Sequence, residues 1–559
     1  MKRLSSFLAE LDDLGLRGDL IQAGLPELGS DLAMPCFVLA KEQDLPPQTV
    51  ADKLAAEVEH DEIERLEAVN GYVNLWLKPR FLAEQLLTWQ AEHKNLGQRP
   101  ASGKLALVEY FSPNLAKPIS IGHMRNLFQG RAVKNLHLAR GYEVVTDNHV
   151  GDWGTIFGIW VVGLLKFGQR EKLERDGLKE LGKIYVLTRQ ALRAEEAEGG
   201  SELNDQIQAW LIKLERGDKE AWRYHEFFSR ISKEEMNHVL DDLGIDFDHT
   251  FGESFYREQL PGLLQDLEQR GIAQRQDDGS LIIDLASEGI KTPMLIQKSN
   301  GATLYASTDI ATIAYRQQRF RPDKVVYVVG MEQQFHFRQL FALNRIAQLT
   351  EAELIHHSYG LIEELDPAGK KQKMSSRHRA VHLEDVLDRA YETATKLTLE
   401  DLDAADVKKI AQGALIFQEF SQGKKHNILF DWDRVFSLSD MSGPYVQYAT
   451  LRLKAILQKA GGADYQPNPG YDFAAERKLL LKILYFEDVL EGALDSLELN
   501  RIAMHVFELC RELNRYYEQV RVLDAEAEAR ASRLWLMDVT YRHLCFSLGI
   551  LGVEVPSRM

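Results

Sequence analysis

The chain has 559 residues, too many for one hydrophobic core, so its length predicts two to four domains. Hydrophobic residues make up 45% and charged residues 27%, as in soluble globular proteins, and no apolar run approaches the roughly 20 residues of a membrane span. The formal net charge of -17 excludes a large, indiscriminate basic face, although local basic tracks could still bind a nucleic acid.

The three cysteines, Cys36, Cys510 and Cys545, lie far apart and form neither a C-x-x-C pair nor a histidine-spaced cluster. This spacing argues against a zinc site and against a disulfide framework, and it favours a reducing, cytoplasmic compartment. The N-terminal segment MKRLSSFLAELDDLG is amphipathic and acidic, unlike a signal peptide. We therefore expect a cytoplasmic protein with no membrane partner.

Residues 1–100 predict a first domain of α+β type, with a helical start and an apolar stretch at Ala33–Leu39. Gly71–Leu77 alternates like a strand, which puts Tyr72 and Asn74 on one face. On the pattern alone, both side chains are most simply solvated strand positions.

The next segments predict a strand, a loop, a helix and a strand, the βαβ unit of a nucleotide-binding sheet. Lys104–Tyr110 is apolar, Ser112–Arg125 (SPNLAKPISIGHMR) opens an amphipathic segment that ends at Gly141, and Tyr142–Asp147 is apolar again. Gly122, at the predicted helix start, would let a base or phosphate approach a backbone with free N–H groups. An ordinary Rossmann-type crossover with a buried histidine is the alternative for an isolated Gly-His pair.

The sequence predicts a multidomain α/β plus all-α protein: a Rossmann-like parallel-sheet domain at 101–390, then a helical bundle at 391–559. A polar, helix-prone stretch, Arg170–Asn237, interrupts the first of these, and most of its charges fit a solvated helix face. The predicted bundle segments are Val407–Gln422, Tyr445–Ala460, Glu476–Leu497, Asn500–Tyr517 and a final pair around Ala525–Leu551 with the tail PSRM.

Six further blocks follow the SPNLAKPISIGHMR segment: HVGDWGTIFG at His149–Gly158, GESFY at Gly252–Tyr256, YASTDIA at Tyr305–Ala311, VVGMEQQFHF at Val328–Phe337, KMSSR at Lys373–Arg377 and YVQYATLR at Tyr445–Arg452. In type and order these blocks resemble those of arginyl-tRNA synthetases, a class I family, over essentially the whole chain. Two motifs depart from that family. Ser120 stands where the HIGH motif begins with histidine, and Ser376 stands where KMSKS has its second lysine.

The resemblance implies ATP-dependent activation of L-arginine and its transfer to arginine tRNA, by a monomer that takes ATP with Mg²⁺ as substrate and needs no zinc. It implies a tRNA-elbow-binding N-terminal domain and an anticodon-binding bundle. It assigns catalytic roles to Lys117, Ser120, His123 and Lys373. ATP contacts fall on Gly122, His123, Lys117, Lys373 and Ser375. In family members that lack the second KMSKS lysine, a lysine before HIGH tends to replace it, which is the position of Lys117.

The amino-acid pocket should suit a guanidinium, whose planar fork of five donors calls for a carboxylate partner. Asp309 and Tyr305, one helical turn apart, offer an anion and a hydroxyl on one face. The family positions for arginine binding are Glu109, Asn114, Tyr305, Asp309 and Gln333.

The resemblance implies tRNA contacts at an aromatic–amide pair in the N-terminal strand and at a basic–aromatic set in the bundle. Such side chains stack on splayed bases and bond to their edges. The set is Tyr72, Asn74, Tyr445, Tyr448, Arg452, Arg515 and Tyr516. The alternative for the bundle is that its aromatics form the core and its arginines a solvated face.

Two other functions remain open from the sequence. Ser120 and the altered loop after Ser376 fit a paralogue with reduced or redirected activity, binding arginine or tRNA for regulation. A small-molecule nucleotidyl transferase also uses a nucleotide-binding H-x-G-H, but it would not need the C-terminal bundle.

Overall fold

The computed structural model describes residues 4–24, 28–93, 95–115, 117, 119–302, 304–365, 369–374, 381–397, 402–462 and 465–559, except the side chain of Tyr305. Internal contacts divide the chain into two units. One comprises Met1–Pro100, Thr393–Gly423 and Trp432–Met559, and the other comprises Ala101–Glu392 and Lys424–Asp431.

The N-terminal segment is an antiparallel sheet covered by helices. Its elements are α1 (Ser5–Asp13), β1 (Gln22–Ala23), β2 (Leu32–Pro35), α2 (Phe37–Gln43), α3 (Pro47–Glu57), β3 (Ile63–Val69), β4 (Tyr72–Leu77) and α4 (Pro79–Glu92). The strand order is β1-β2-β4-β3. Asn70 and Gly71 both have positive φ (54° and 78°), as a tight two-residue hairpin between β3 and β4 requires. The predicted strand 71–77 is confirmed.

The second unit is an α/β structure with a helical insertion. Its elements are β5 (Leu105–Glu109), α5 (Ile121–Ala139), β6 (Glu143–Asp147), α6 (Thr155–Phe167), α7 (Arg170–Ala197), α8 (Glu202–Glu215), α9 (Lys219–Leu243), α10 (Leu260–Gln269), β7 (Ala273–Arg275), β8 (Leu281–Ile283), β9 (Met294–Gln297), α11 (Tyr305–Phe320), β10 (Lys324–Gly330), α12 (Gln334–Ala347), β11 (Glu353–Tyr359), β12 (Ile362–Leu365), β13 (Lys371–Lys373) and α13 (Leu383–Leu397), of which the last residues belong to the first unit.

A four-stranded parallel sheet of order β11-β10-β5-β6 forms the centre of this unit. Strands β5 and β6 pair in parallel from Leu105 opposite Glu143 to Glu109 opposite Asp147, with α5 as the crossover, so the predicted βαβ unit is confirmed. Buried apolar residues of the strands, such as Leu107 and Val325, join those of α11 and α12 in one core. All four strands end at one edge, which is where doubly wound sheets bind ligands.

The last part of the chain is helical, as predicted. After α14 (Ala404–Glu419) and the short strand β14 (Ile428–Leu429) come α15 (Trp432–Val435), α16 (Gly443–Ala460), α17 (Arg477–Leu484), α18 (Phe486–Ser496), α19 (Asn500–Gln519) and α20 (Ala527–Leu551). Two details differ from the expectation. The segment 476–497 is two helices rather than one, and the final pair is the single helix α20.

The N-terminal segment and the bundle share a polar interface inside the first unit. The Nε of Arg477 donates to the Oδ1 of Asp31 over 3.1 Å, and its Nη1 donates to Glu64 over 2.6 Å. The indole of Trp535 donates to Gln90 over 2.9 Å. Since Asp31 is 2% exposed, its charge depends on Arg477 for compensation. The bounds of the three predicted domains stay a prediction. These contacts join the first and the third predicted domain within one unit.

None of the helices in the described part of the chain is long and apolar enough to cross a membrane.

The Asp31–Arg477 pair should stabilise the first unit strongly. We expect Arg477→Ala to lower its free energy of unfolding by about 3–5 kcal/mol, because the Asp31 carboxylate would be left buried without its partner. Denaturant unfolding followed by hydrogen exchange at β4 measures this. The control is Arg521→Ala, whose pair with Asp524 is 84% and 80% exposed and should change stability by about 0.5 kcal/mol or less. Equal effects of the two variants would contradict the assignment.

Candidate active site

A cavity of about 390 Å³ opens at the carboxyl edge of the parallel sheet. Glu109 at the end of β5, His149 just after β6, Gly330 at the end of β10 and Tyr359 at the end of β11 all line it. The predicted residues that the cavity brings together are Glu109, Asn114, Ser120, Gly122, His123, Gln333 and Lys373.

The N-terminus of α5 forms one wall. Ser120 is the residue before the helix, and its backbone N–H donates to the Nδ1 of His123 over 3.0 Å. Burial lowers the pKa of His123, and nearby Lys117 lowers it further, so the ring is held neutral. Because Nδ1 accepts a hydrogen bond, the proton of the neutral ring sits on Nε2. His123 therefore offers one N–H donor.

The hydroxyl of Ser120 is engaged by this same ring. Its Oγ lies 3.2 Å from the Nδ1 of His123. Beside it, a Cβ built on Gly122 would meet only Ser120 Oγ at 3.5 Å, so the protein itself leaves the space over Gly122 open. This open backbone next to a helix N-terminus suits a base or a phosphate.

The turn that follows β5 is strained. Phe111 and Ser112 have φ values of 73° and 43°, a left-handed conformation that non-glycine residues rarely adopt. Two amides hold it: the Oδ1 of Asn126 accepts from the N–H of Phe111, and the Oδ1 of Asn148 accepts from that of Ser112 over 3.1 Å. The sequence offered no signal for this strain, which directs the chain along the cavity towards Asn114.

Asn114 lies against a glycine that the fold requires. A Cβ on Gly151 would stand 2.5 Å from the Oδ1 of Asn114, closer than atoms can approach. The backbones also bond, since Gly151 donates to Pro113 and Leu115 donates to Gly151, each over 3.0 Å. Gly151 belongs to the HVGDWG block and was not among the predicted site residues.

Glu109 lines the cavity but already has a partner within the chain. Its Oε2 and the Oδ2 of Asp147 each lie 2.6 Å from the Nη2 of Arg316, which is 1% exposed. Burial opposes the charge of Arg316, yet the two carboxylates raise its pKa well above the ordinary value. Glu109 therefore presents only its remaining lone pairs to a ligand.

A carboxyl without a cationic partner is instead that of Glu253, which sequence reasoning assigned no role. Glu253 lines the cavity, and burial, followed by repulsion from Asp309 and Asp152, raises its pKa to about 8. Asp309 is not itself in the cavity wall, and its Oδ2 lies 2.5 Å from the Nε2 of His336. The position of Glu253 in the GESFY block was the available signal. A partly buried carboxyl near other carboxyls favours a cationic ligand.

Of the two predicted lysines, one lines the cavity and the other does not. Lys373 ends β13 and lines the cavity, with its Nζ 3.3 Å from Glu332. Lys117 is not part of the cavity wall, although its charge acts on His123. Ser375, Ser376 and Arg377 of the KMSSR block lie outside the described residues, and so does the side chain of Tyr305.

Arg125 ties the helix of His123 to the hairpin of Lys373. It is 1% exposed; its Nη1 donates to the carbonyls of Leu361 (3.3 Å) and His426 (3.1 Å), and its Nη2 donates to that of Lys424 (3.2 Å). Leu361 precedes β12, which pairs with both β13 and β14. One guanidinium thus joins α5 to the residue before β12 and to the segment before β14. Sequence reasoning missed this residue.

The predicted tRNA residues of the N-terminal sheet are partly enclosed. Tyr72 packs edge-on against Phe37 with ring centroids 5.4 Å apart. Asn74 is fully buried; its Oδ1 accepts from Ser30 over 3.2 Å and its Nδ2 donates to the carbonyl of Glu67 over 3.3 Å. The expectation of a solvated Asn74 is wrong, because its side chain is enclosed and hydrogen-bonded to Ser30 and Glu67. Its amide serves the sheet, and the tRNA contact stays a prediction.

In the bundle, exposure separates the predicted residues. Tyr448 is 52% exposed, and the exposed Arg452 stacks over Tyr517 at 4.9 Å. Tyr516, in contrast, is 5% exposed and donates to Glu476 over 2.7 Å, so the bundle-core alternative describes it.

Tyr445 and Arg515 lie between these extremes. Tyr445 is half-buried and accepts from Asn514 over 3.0 Å, while the exposed Arg515 lies 3.4 Å from Glu512.

The anchoring by Arg125 can be tested directly. We expect Arg125→Ala to speed amide exchange at residues 361–365 and 371–373 by about a hundredfold, since three charge-assisted hydrogen bonds to partly or fully buried carbonyls are lost. Arg125→Lys keeps the charge but not the fork, so its effect should be intermediate. Exchange in the middle of α5 is the internal control and should not change. An unaltered hairpin in Arg125→Ala would contradict this anchoring role.

The chain is similar to known proteins along almost its whole length. Three family models match: the class I (R) tRNA synthetase catalytic domain at 85–432, the DALR anticodon binding domain at 446–559 and the arginyl tRNA synthetase N-terminal domain at 8–77.

Full-length relatives agree. The chain is 35% identical to the arginine--tRNA ligase of Streptococcus uberis (95% of this chain, 94% of the relative) and 34% identical to that of Halothermothrix orenii (96% and 94%). Its fold matches the arginyl-tRNA synthetase structure of Thermus thermophilus with a TM-score of 0.79, at 24% identity over 96% of both chains. The chain therefore belongs to the arginyl-tRNA synthetase family of class I aminoacyl-tRNA synthetases.

Proposed function

We propose that this protein is an arginine--tRNA ligase. It joins the carboxylate of L-arginine to the α-phosphate of ATP with release of pyrophosphate. It then passes the arginyl group to a ribose hydroxyl at the 3′ end of arginine tRNA, releasing AMP. The observation that carries this proposal is the match to arginine--tRNA ligases along almost the whole chain, together with a sheet-edge cavity that joins a helix N-terminus, a lysine hairpin and buried acids.

The nucleotide half of the site is the wall formed by α5 and β13. Activation needs alignment of two substrates and stabilisation of the charge that grows on the phosphoryl oxygens. The Nε2–H of His123 and the first N–H groups of α5 are fixed hydrogen-bond donors for these oxygens. The ammonium of Lys373, on a flexible side chain, adds a positive charge. Lys117, near enough to lower the pKa of His123, adds a second ammonium. Mg²⁺ enters with the phosphates of ATP.

The arginine half is the acidic end of the cavity. Burial, and then repulsion from Asp309 and Asp152, raises the pKa of Glu253, and a guanidinium beside Glu253 would favour its ionised form. Asn114 and Gln333, also in the wall, have neutral amides suited to the ammonium and carboxylate of the substrate. Tyr305 and Glu109 complete the proposed set.

The remaining assignments rest on exposure and on family membership. Tyr448 and Arg452 are proposed as tRNA contacts because they are exposed on α16, and Arg515 extends the same patch on α19. Tyr445, Tyr72 and Ser375 remain proposed contacts from the resemblance. We propose action as a monomer in the cytoplasm.

The catalytically reduced paralogue is the weaker proposal, since the curated relatives matched over full length are ligases. Ser120 is the residue that tests it. We expect an active enzyme in which Ser120→His raises the rate of arginine activation by about tenfold, because an imidazole N–H reaches further and can carry charge. Ser120→Ala, which loses the contact with His123, should be slower than the parent. Arginine- and tRNA-dependent pyrophosphate exchange measures both.

Absence of exchange in the parent with any tRNA, unrestored by Ser120→His, would contradict the ligase proposal.

Glu253 gives a pH dependence with a definite sign. Its pKa of about 8 means that it is largely protonated near neutral pH in the free enzyme, and only the ionised form pairs with a guanidinium. The kcat/KM for arginine should therefore rise with pH and level off above about 8. In Glu253→Gln this limb should vanish, with kcat/KM lower throughout. A parent profile that is flat between pH 6 and 9 would exclude this role.

A further inference from the structure

His149 has no function in the site as assigned so far, yet it occupies an unusual position. It follows β6 by two residues, is 5% exposed and lines the substrate cavity. Within the described part of the chain, neither its Nδ1 nor its Nε2 has a hydrogen-bond partner. A buried imidazole without partners is costly, because both nitrogens have given up water.

Other buried histidines show that this is not a general feature of the fold. His137, His357 and His543 each leave one ring nitrogen without a partner in the described structure, but the other nitrogen is bonded, to Val133, Gln129 and His505 respectively. None of these three lines the substrate cavity. His149 therefore combines two unsatisfied nitrogens with access to the ligand space.

The surroundings of His149 place it at the acidic end of the cavity. Its ring packs on Tyr256, with centroids 5.6 Å apart, and Tyr256 belongs to the same short helix as Glu253. The neighbouring Val150 accepts a hydrogen bond from the N–H of Glu253 over 3.1 Å. The nucleotide wall of His123 and Lys373 is formed by other elements, α5 and β13.

We propose that His149 is a substrate-contacting residue that accepts a hydrogen bond from the guanidinium of the bound arginine. A guanidinium offers only donors, and an imidazole nitrogen that carries no hydrogen is an acceptor. Glu253 supplies charge recognition, and His149 supplies a directional contact that fixes the plane of the fork. This inference rests on the proposed arginine site.

The test compares His149→Phe with the parent in tRNA charging. The phenyl ring keeps the shape and removes both nitrogens, so the KM for arginine should rise by roughly tenfold to a hundredfold, the scale of a hydrogen bond to a charged group. The KM for ATP should stay within about threefold. The melting temperature without substrates should be unchanged or higher, since two unsatisfied buried groups are removed. His149→Gln, with an amide oxygen acceptor, should recover part of the affinity.

A simple guanidinium compound identifies the contacted end of the substrate. The inhibition constant of n-butylguanidine, which lacks the α-amino and carboxyl groups, should rise in His149→Phe by about the same factor as the KM for arginine. A raised KM with an unchanged inhibition constant would overturn the guanidinium assignment. An arginine KM within threefold of the parent, or a fall in melting temperature with parallel losses for both substrates, would overturn the contact itself.

Two controls separate the possible failures. His137→Phe removes a buried imidazole outside the cavity and should leave both KM values unchanged. Glu253→Gln tests the arginine site on which the inference rests. If Glu253→Gln weakens arginine binding while His149→Phe does not, only the role of His149 is wrong. If neither does, the proposed arginine site is wrong as well.

Discussion

The ion triad of Arg316 with Glu109 and Asp147 is the interaction on which the catalytic unit depends. It joins the ends of β5 and β6 to α11, the helix that also contains Asp309. Two carboxylates at adjacent strand ends would repel each other at low dielectric, and one buried guanidinium between them removes that repulsion. The cavity opens at this edge, and Glu109 of the triad is part of its wall.

The triad divides the acidic groups of the site into two classes. Glu109 and Asp147 are neutralised within the chain, whereas burial and like charges keep the pKa of Glu253 near 8. A site built in this way gains most from a ligand that brings its own positive charge. It penalises a neutral amino acid, which supplies no cation to an ionised Glu253, and such penalties discriminate more strongly than contacts to an apolar side chain.

The sequence predicted what depends on local pattern. Apolar periodicity identified the βαβ unit and the helical bundle, and ordered motifs brought Asn114, Gly122, His123, Gln333 and Lys373 to one cavity. Contacts between residues that are distant in the chain could not be predicted from local pattern. The pairing of Arg316 with Glu109 and the anchoring of Lys424 by Arg125 join segments that no periodicity connects.

The burial of individual side chains could not be predicted from the sequence either. Alternation in β4 indicated a face for Asn74 but not that the side chain is buried there, and the helical pattern of α19 did not separate the buried Tyr516 from the exposed Arg515. The strained turn at Phe111 and Ser112 is likewise a product of tertiary hydrogen bonds from Asn126 and Asn148, which override local preference.

We expect the partly buried carboxyl of Glu253 to select a guanidinium for activation. Pyrophosphate exchange in the presence of tRNA, with arginine and with its neutral isostere citrulline, tests it most directly. We expect exchange with arginine and a kcat/KM for citrulline lower by on the order of 10⁴, as when the polar groups of a site lose their partner. Activation of citrulline within tenfold of arginine would contradict it.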